Sequence, residues 1–538
     1  MSRTQWLFWA SLWFSLTGCS FLSKDETHAQ QGIIYCSEGS PESFNPQLAT
    51  SGTVTAVSHQ IYNRLLEQDP VTGVFIPSLA TSWTVNDAST KYRFKLRHNV
   101  SFHQTDFFQP TRDFNADDVV FTFKRIIDIY HPYRFVNGGI YPYFQSIGFT
   151  HVVKSVQKVA DDEVEFLLHT PDSSFLSTLS TDFAAILSEE YGAQLELVGK
   201  HESIDNQPIG TGPFQLTEFQ YDSLIRFQAH KKYWQGPPSI DHLVFDITSH
   251  NASRLGKLIT GECDLIAFPS AAELELINDR PEIRLEKNTT LNVSYWAFNT
   301  KKPPFDNPKV RQALALAVNR DSILQSVYFG HATLAKSILP PVSWAFDQSL
   351  KKPEFNLEKA AQLLKESDVH EGFEMDIWAI PVSRPYNPNA TKMAELLQAD
   401  LAQLGIKANI ISMEWATFRK HLNAGEHDSV LIGWSADNAD PDNFFRPLLS
   451  CTASYSGQNR AQWCDPDFDR LLQEALTTTD VARRIAMYHQ LQQLLQHENP
   501  VTPIAHSLRY QATRTNVSGV EVNQFGGISF YRAKKVAL

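Results

Sequence analysis

A chain of 538 residues is too long for one ordinary core, and its 42% hydrophobic and 12% aromatic content is that of a soluble globular protein divided into two or three lobes. Its formal charge of −12 argues against a general affinity for nucleic acid and gives a mild long-range attraction for cations. The one notable apolar run lies at the extreme N-terminus, which excludes a membrane-spanning body.

That N-terminus reads as an address. Arg3 supplies a positive start, "WLFWASLWFSL" (6–16) is an apolar stretch of about a dozen residues, too short to span a bilayer, and "LTGCS" follows. Residues 1–18 are expected to be a signal peptide. Leu16, Thr17, Gly18 and Cys19 look like a bacterial lipobox, with Cys19 as the lipidated residue and 19–32 as a polar tether. Export makes the remaining cysteines candidates for disulfides. Cys36, Cys263, Cys451 and Cys464 allow three pairings. Cys451 and Cys464 are thirteen apart around a polar loop, so their closure is expected, which leaves Cys36 to join Cys263. Zinc is the rival reading, but no CxxC or HxxxH lies beside them.

Further along, "YRFKLRHNVSF" (92–102) alternates as a strand does, and "NADDVVFTFKRIID" (115–128) offers an Asn cap, early acids and a helical apolar stripe. "GTGPFQLTEFQ" (210–220) reads as a turn before a strand, since no Walker lysine and no helix follow it. Asn307 and Pro308 open a helix with Val310, Ala313, Leu314, Ala317 and Val318 on one face. A strand at 373–381, a loop at 382–388, a helix at 389–405 with Met393, Leu396, Leu397, Leu401 and Leu404 inward, and a strand at 406–413 make a βαβ unit with parallel strands. "SVLIGW" (429–434) adds another strand to the same sheet.

In such sheets ligands bind beyond the carboxyl ends of strands, and both Arg384 and Asp437 fall just past such ends. A guanidinium fork suits a carboxylate and an aspartate suits an ammonium, so the pair suits a zwitterion such as a free short peptide. Taken singly, Arg384 could be an ordinary surface arginine and Asp437 a turn or cap residue before Pro441. The acidic run 437–443 lacks the Gly and distant Glu of an EF-hand, and no acid is set apart as a glycosidase nucleophile. There is no GxSxG and no HExxH, and His489 and His497 lie on a polar, Gln-rich helix.

From about residue 33 to 535 the chain resembles the dipeptide- and oligopeptide-binding proteins of bacterial ABC importers. The resemblance is carried by "SLATSWTVND" (78–87), "YRFKLRHNVSFH" (92–103), "FNADDVVFTFKRI" (114–126), "PIGTGPF" (208–214), "AFNTKKPPFDNPKVRQALALAVNR" (297–320), "LLSC" (448–451) and "WCDPDFD" (463–469). It implies an α/β, two-lobed Venus-flytrap fold. Lobe 1 would comprise 33–290 plus 506–538, with an extra subdomain at about 85–200, and lobe 2 would comprise 291–505. It implies no metal or cofactor, a monomer, and partners in a membrane permease and its ATPases, with no nucleic acid.

The resemblance also implies roles. In the "GWxxDNxDPDNF" pattern the aspartate, here Asp437, holds the ligand's amino terminus. In the "RPYNPN" loop the arginine, here Arg384, holds its carboxylate. Trp434, Asn438 and Tyr386 complete the expected site. Haem or a cationic antimicrobial peptide is the alternative cargo, the latter tied to resistance, and an exported hydrolase or a peptide-binding chaperone is the rival from another class.

Overall fold

In the computed structural model the described residues are 32–48, 51–69, 73–266, 268–367, 369, 372–456, 458–522, 525 and 527–536. The signal sequence, Cys19 and the tether up to residue 31 lie outside them.

Local signals set most element boundaries. Asn115 caps the helix Ala116–Ile127 in a capping box with Asp118. Asn307 accepts from the Lys309 backbone N–H and Pro308 opens the helix Pro308–Leu316. Asn389 caps Ala390–Ala402, whose Met393, Leu397 and Leu401 are buried while Leu396, and Leu404 in the turn that follows, are half-buried. Gly405, at φ 74°, takes the left-handed turn that ends this helix.

The strand expected over 92–102 is Lys91–Leu96 and stops there. The Arg97 backbone N–H to the Leu79 carbonyl is the last rung of its pairing with the neighbouring strand, and Asn99 then adopts φ 57°, so the alternation beyond belongs to a loop. Its strand forms a four-stranded antiparallel sheet with Ala80–Val85, Glu163–Leu168 and Val153–Ala160.

The larger sheet runs from Lys407–Ile411 through Glu374–Ala379, Ser429–Ser435, Asn292–Phe298, Val501–Arg514, Leu265–Ile266, Ile33–Ser37, His242–Ile247 and Leu224–Ala229 to Phe214–Gln220. The βαβ unit is parallel, with Glu374 opposite Lys407, and Ser429–Ser435 also runs parallel to Glu374–Ala379. Ahead of Phe214–Gln220, Gly210 and Gly212 press against the Ile61 carbonyl so closely that a Cβ on either would collide with it.

Among the described residues the apolar core forms two large clusters along this sheet, with a small third around Cys36, Cys263 and Ala512. One large cluster takes buried residues from Leu291 to Ala505, and the other takes Ile33 to Leu265 together with Val517, Ile528, Phe530 and Ala533. This is the two-lobed α/β fold of periplasmic binding proteins. Val501–Arg514 joins the lobes: its start pairs with Asn292–Phe298, and its end with Ile283–Thr289 and Leu265–Ile266. Where the two chains cross, Asn292 accepts the Ser507 backbone N–H at 3.0 Å and donates its amide to the Ser507 carbonyl at 3.0 Å. One fourteen-residue strand is thus shared between the two lobes within a single continuous sheet.

Two disulfides join Cys36 to Cys263 and Cys451 to Cys464. The first ties neighbouring parts of the large sheet, and the second closes the loop that spacing alone had suggested.

Candidate functional site

The parallel strands of the second lobe end on the side where the lobes face each other, and two connected cavities open there. The larger, of about 870 Å³, lies between Glu38, Glu42, Arg254 and Phe268 on one side and Arg384, Trp415 and Arg419 on the other. The smaller, of about 270 Å³, is lined by Tyr143 and Phe183 of the first lobe and by Asp437, Trp434, Tyr386 and Arg460 of the second. Arg384 borders both.

The loop carrying Arg384 is pinned at three points. Arg384 and Asn387 exchange backbone hydrogen bonds of 3.0 Å, the Tyr328 hydroxyl donates to the Tyr386 carbonyl at 2.7 Å, and the Ser507 hydroxyl donates to the Pro385 carbonyl at 2.6 Å. The last bond couples the loop to the joint between lobes. The Arg384 guanidinium sits 5.4 Å from the centre of the Trp415 ring and makes no ion pair among the described residues. The Tyr386 ring lies so close over Gly433 that any Cβ there would collide with it.

The acidic segment sorts itself by partner. Asp440 is bound by Arg484 through bonds of 2.9 and 3.0 Å, and Asp442 by Arg446 at 2.7 Å, all of them buried. Two of the three acids are therefore already neutralised by cations of the protein. Asp437 is different: it makes no ion pair among the described residues and has Asn443 as a neutral partner. Burial pushes its carboxyl up to about 7; the Asn443 amide partly offsets this, and the charge of Asp182 adds to it. Asp182 is itself held ionised by Arg64 and by His59 at 3.1 Å, which outweigh its own burial.

Of the residues expected at the site, the fold brings Asp437, Arg384, Trp434 and Tyr386 to one cavity. Asn438 stands apart. It is buried, gives its amide to the Tyr143 hydroxyl at 3.5 Å and accepts the Asp440 backbone N–H at 2.9 Å, so its side chain braces the segment against the first lobe.

Sequence reasoning missed Asn443, Tyr143, Phe183, Trp415, Arg419 and Arg460. Tyr143 and Phe183 stack at 4.3 Å although forty residues separate them, and no local pattern could pair them. Asn443 was legible only as part of an acidic run.

Arg384 and Asp437 thus border one cavity between the two lobes and form no ion pair among the described residues. Residues 74–456 match the model of the bacterial extracellular solute-binding proteins, family 5 (middle region), and the chain belongs to that family. It is 46% identical to the peptide transport periplasmic protein SapA of Salmonella typhimurium, over 93% of this chain and 91% of that one. It is 42% identical to heme-binding protein A of Haemophilus influenzae, over 93% and 91%. Among solved structures, the dipeptide-binding protein of Pseudoalteromonas sp. SM9913 in complex with Met-Leu matches at 47% identity and a TM-score of 0.90, over 94% of this chain and 100% of that one.

Proposed function

We propose that this chain captures short peptides by their free termini and delivers them, in a closed form, to a membrane permease driven by ATPases. Asp437 receives the ligand's ammonium and Arg384 its carboxylate, while Trp434 and Tyr386 wall the space between. The observation that carries this reading is the sorting of charges. Asp440 and Asp442 already have arginine partners, whereas Asp437 and Arg384 border one cavity and form no ion pair among the described residues. Such half-buried charges are tolerated when a ligand supplies the counter-charge. Binding, without turnover, is then the whole task of the protein. The lobes are 33–290 with 506–538, and 291–505, and the subdomain at about 85–200 forms part of the far wall. The protein works as a monomer on the periplasmic side of the envelope, tethered through a lipid at Cys19.

Haem is the second reading, favoured by the 870 Å³ cavity beside the clamp and by the relative named for haem binding. Mass spectrometry of small molecules released when natively purified protein is denatured separates the two. Short peptides with free termini are expected; haem, with a Soret band on titration, would displace the peptide reading.

A further inference from the structure

The carboxylate end of the crevice holds more positive charge than one terminal carboxylate needs. Arg384, Arg419 and Arg460 all line the smaller cavity, and all three act on the Tyr386 hydroxyl. Arg384 and Arg419 flank the Trp415 ring at 5.4 and 5.8 Å. Arg419 is set against Glu42, and Arg254 and Arg509 against Glu38. Among the described residues Arg460 has no such acid. Its Nη1 donates to the neutral Asn423 Oδ1 at 2.6 Å, and it makes no ion pair among the described residues.

Arg460 is also held firmly. It sits in the loop closed by the Cys451 to Cys464 disulfide, its carbonyl contacts His427 Nε2 at 2.7 Å, and the residue is 9% exposed. Burial lowers its pKa to about 10, with the Arg419 charge adding to that and Tyr295 opposing it, so the guanidinium stays charged at neutral pH. A buried, fixed cation facing a cavity is stabilised by an anion arriving from outside, and a guanidinium fork fits a carboxylate through two parallel bonds.

We propose that Arg460 forms a second anion subsite beside Arg384, and that the preferred ligand is a peptide whose C-terminal residue carries an acidic side chain. Its terminal carboxylate goes to Arg384 and its side-chain carboxylate to Arg460. This rests on the peptide reading above and adds a preference among peptides.

Calorimetry of the wild-type protein with Ala-Glu, Ala-Gln and Ala-Lys tests it without any variant. Ala-Glu is expected to bind about tenfold tighter than Ala-Gln, with Ala-Lys weakest, and the gap should shrink as salt is raised. In Arg460→Gln the ratio of Ala-Glu to Ala-Gln affinity should fall to within about twofold, and Arg460→Lys should restore part of it. An Arg460 that only braced its loop would shift all three peptides together and leave the ratio unchanged, which overturns the proposal. Measurable binding of Ala-Gln with no gain for Ala-Glu overturns the subsite and leaves the peptide reading standing. If none of the three binds to protein with an intact melting transition, both are overturned.

Discussion

Asn443 holds Asp437 at both ends: its side-chain oxygen accepts the Asp437 backbone N–H at 3.0 Å, and its amide donates to the Asp437 carboxylate at 3.3 Å. The same oxygen accepts the Trp434 indole N–H at 3.0 Å. One buried amide thus sets the direction of the carboxylate and of the aromatic wall beside it. Asn443→Ala should lower peptide affinity about tenfold and destabilise the protein by about 1–3 kcal/mol, because the indole and the carboxylate each lose a buried partner. Calorimetry and urea unfolding on the same preparation would read both effects.

Asp437→Asn should move stability and binding in opposite directions. Removing a half-buried charge without a cationic partner stabilises the ligand-free protein at pH 8, while the ligand's ammonium loses its counter-charge at a cost of about 2–5 kcal/mol. Arg384→Ala should cost affinity by a similar amount. Unchanged affinity in both variants would end the terminal-clamp account.

The raised Asp437 pKa gives a pH dependence of definite sign. Its value of about 7 in the fold lies above that of an unfolded aspartate, near ~3.9, so the fold favours the protonated form. Its contribution to the stability of the ligand-free protein is therefore complete below about pH 4 and is lost as pH rises through about 7. An incoming ammonium requires the ionised form, so binding at pH 6 should release a proton and weaken as pH falls further. Calorimetry in two buffers of different ionisation enthalpy measures that proton; none released would mean the ammonium is held elsewhere.

Arg446 fastens one lobe to the other. It reaches from Asp442 to Asp172 at 3.2 Å, the Ser174 hydroxyl at 2.7 Å and the Ile147 carbonyl at 3.1 Å. Arg446→Ala strands two buried carboxylates and should cost about 3–5 kcal/mol. The ligand-free protein should also open, which small-angle scattering would record as a larger radius of gyration.

Replacing Cys451 and Cys464 together by serine should cost about 3 kcal/mol, the loop-closure value for a short loop. Because Arg460 lies inside that loop, the acidic-peptide preference should weaken more than the affinity for neutral peptides.

Much of the second lobe was legible in the sequence because its determinants are local. Asn307 with Pro308, and Asn389 with Gly405, announce helix ends within a few residues, and the apolar period between them identifies the buried face. The strand, helix, strand order at 374–411 then imposes parallel pairing and places Arg384 and Asp437 at one edge. The strand beyond Leu96 failed the same logic: alternation continued past Leu96, where the pairing with Ala80–Val85 comes to its end and Asn99 turns the chain at φ 57°.

The sequence by itself determined which residue types stand past the strand ends, because helix caps, glycine turns and apolar periodicity act over a few residues. Which of those residues are available to a ligand was decided by the tertiary structure alone. Asp440 meets Arg484 across forty-four residues, and Arg446 meets Asp172 across 274. Whether a carboxylate is neutralised depends on partners within a few ångströms in space, wherever they fall along the chain.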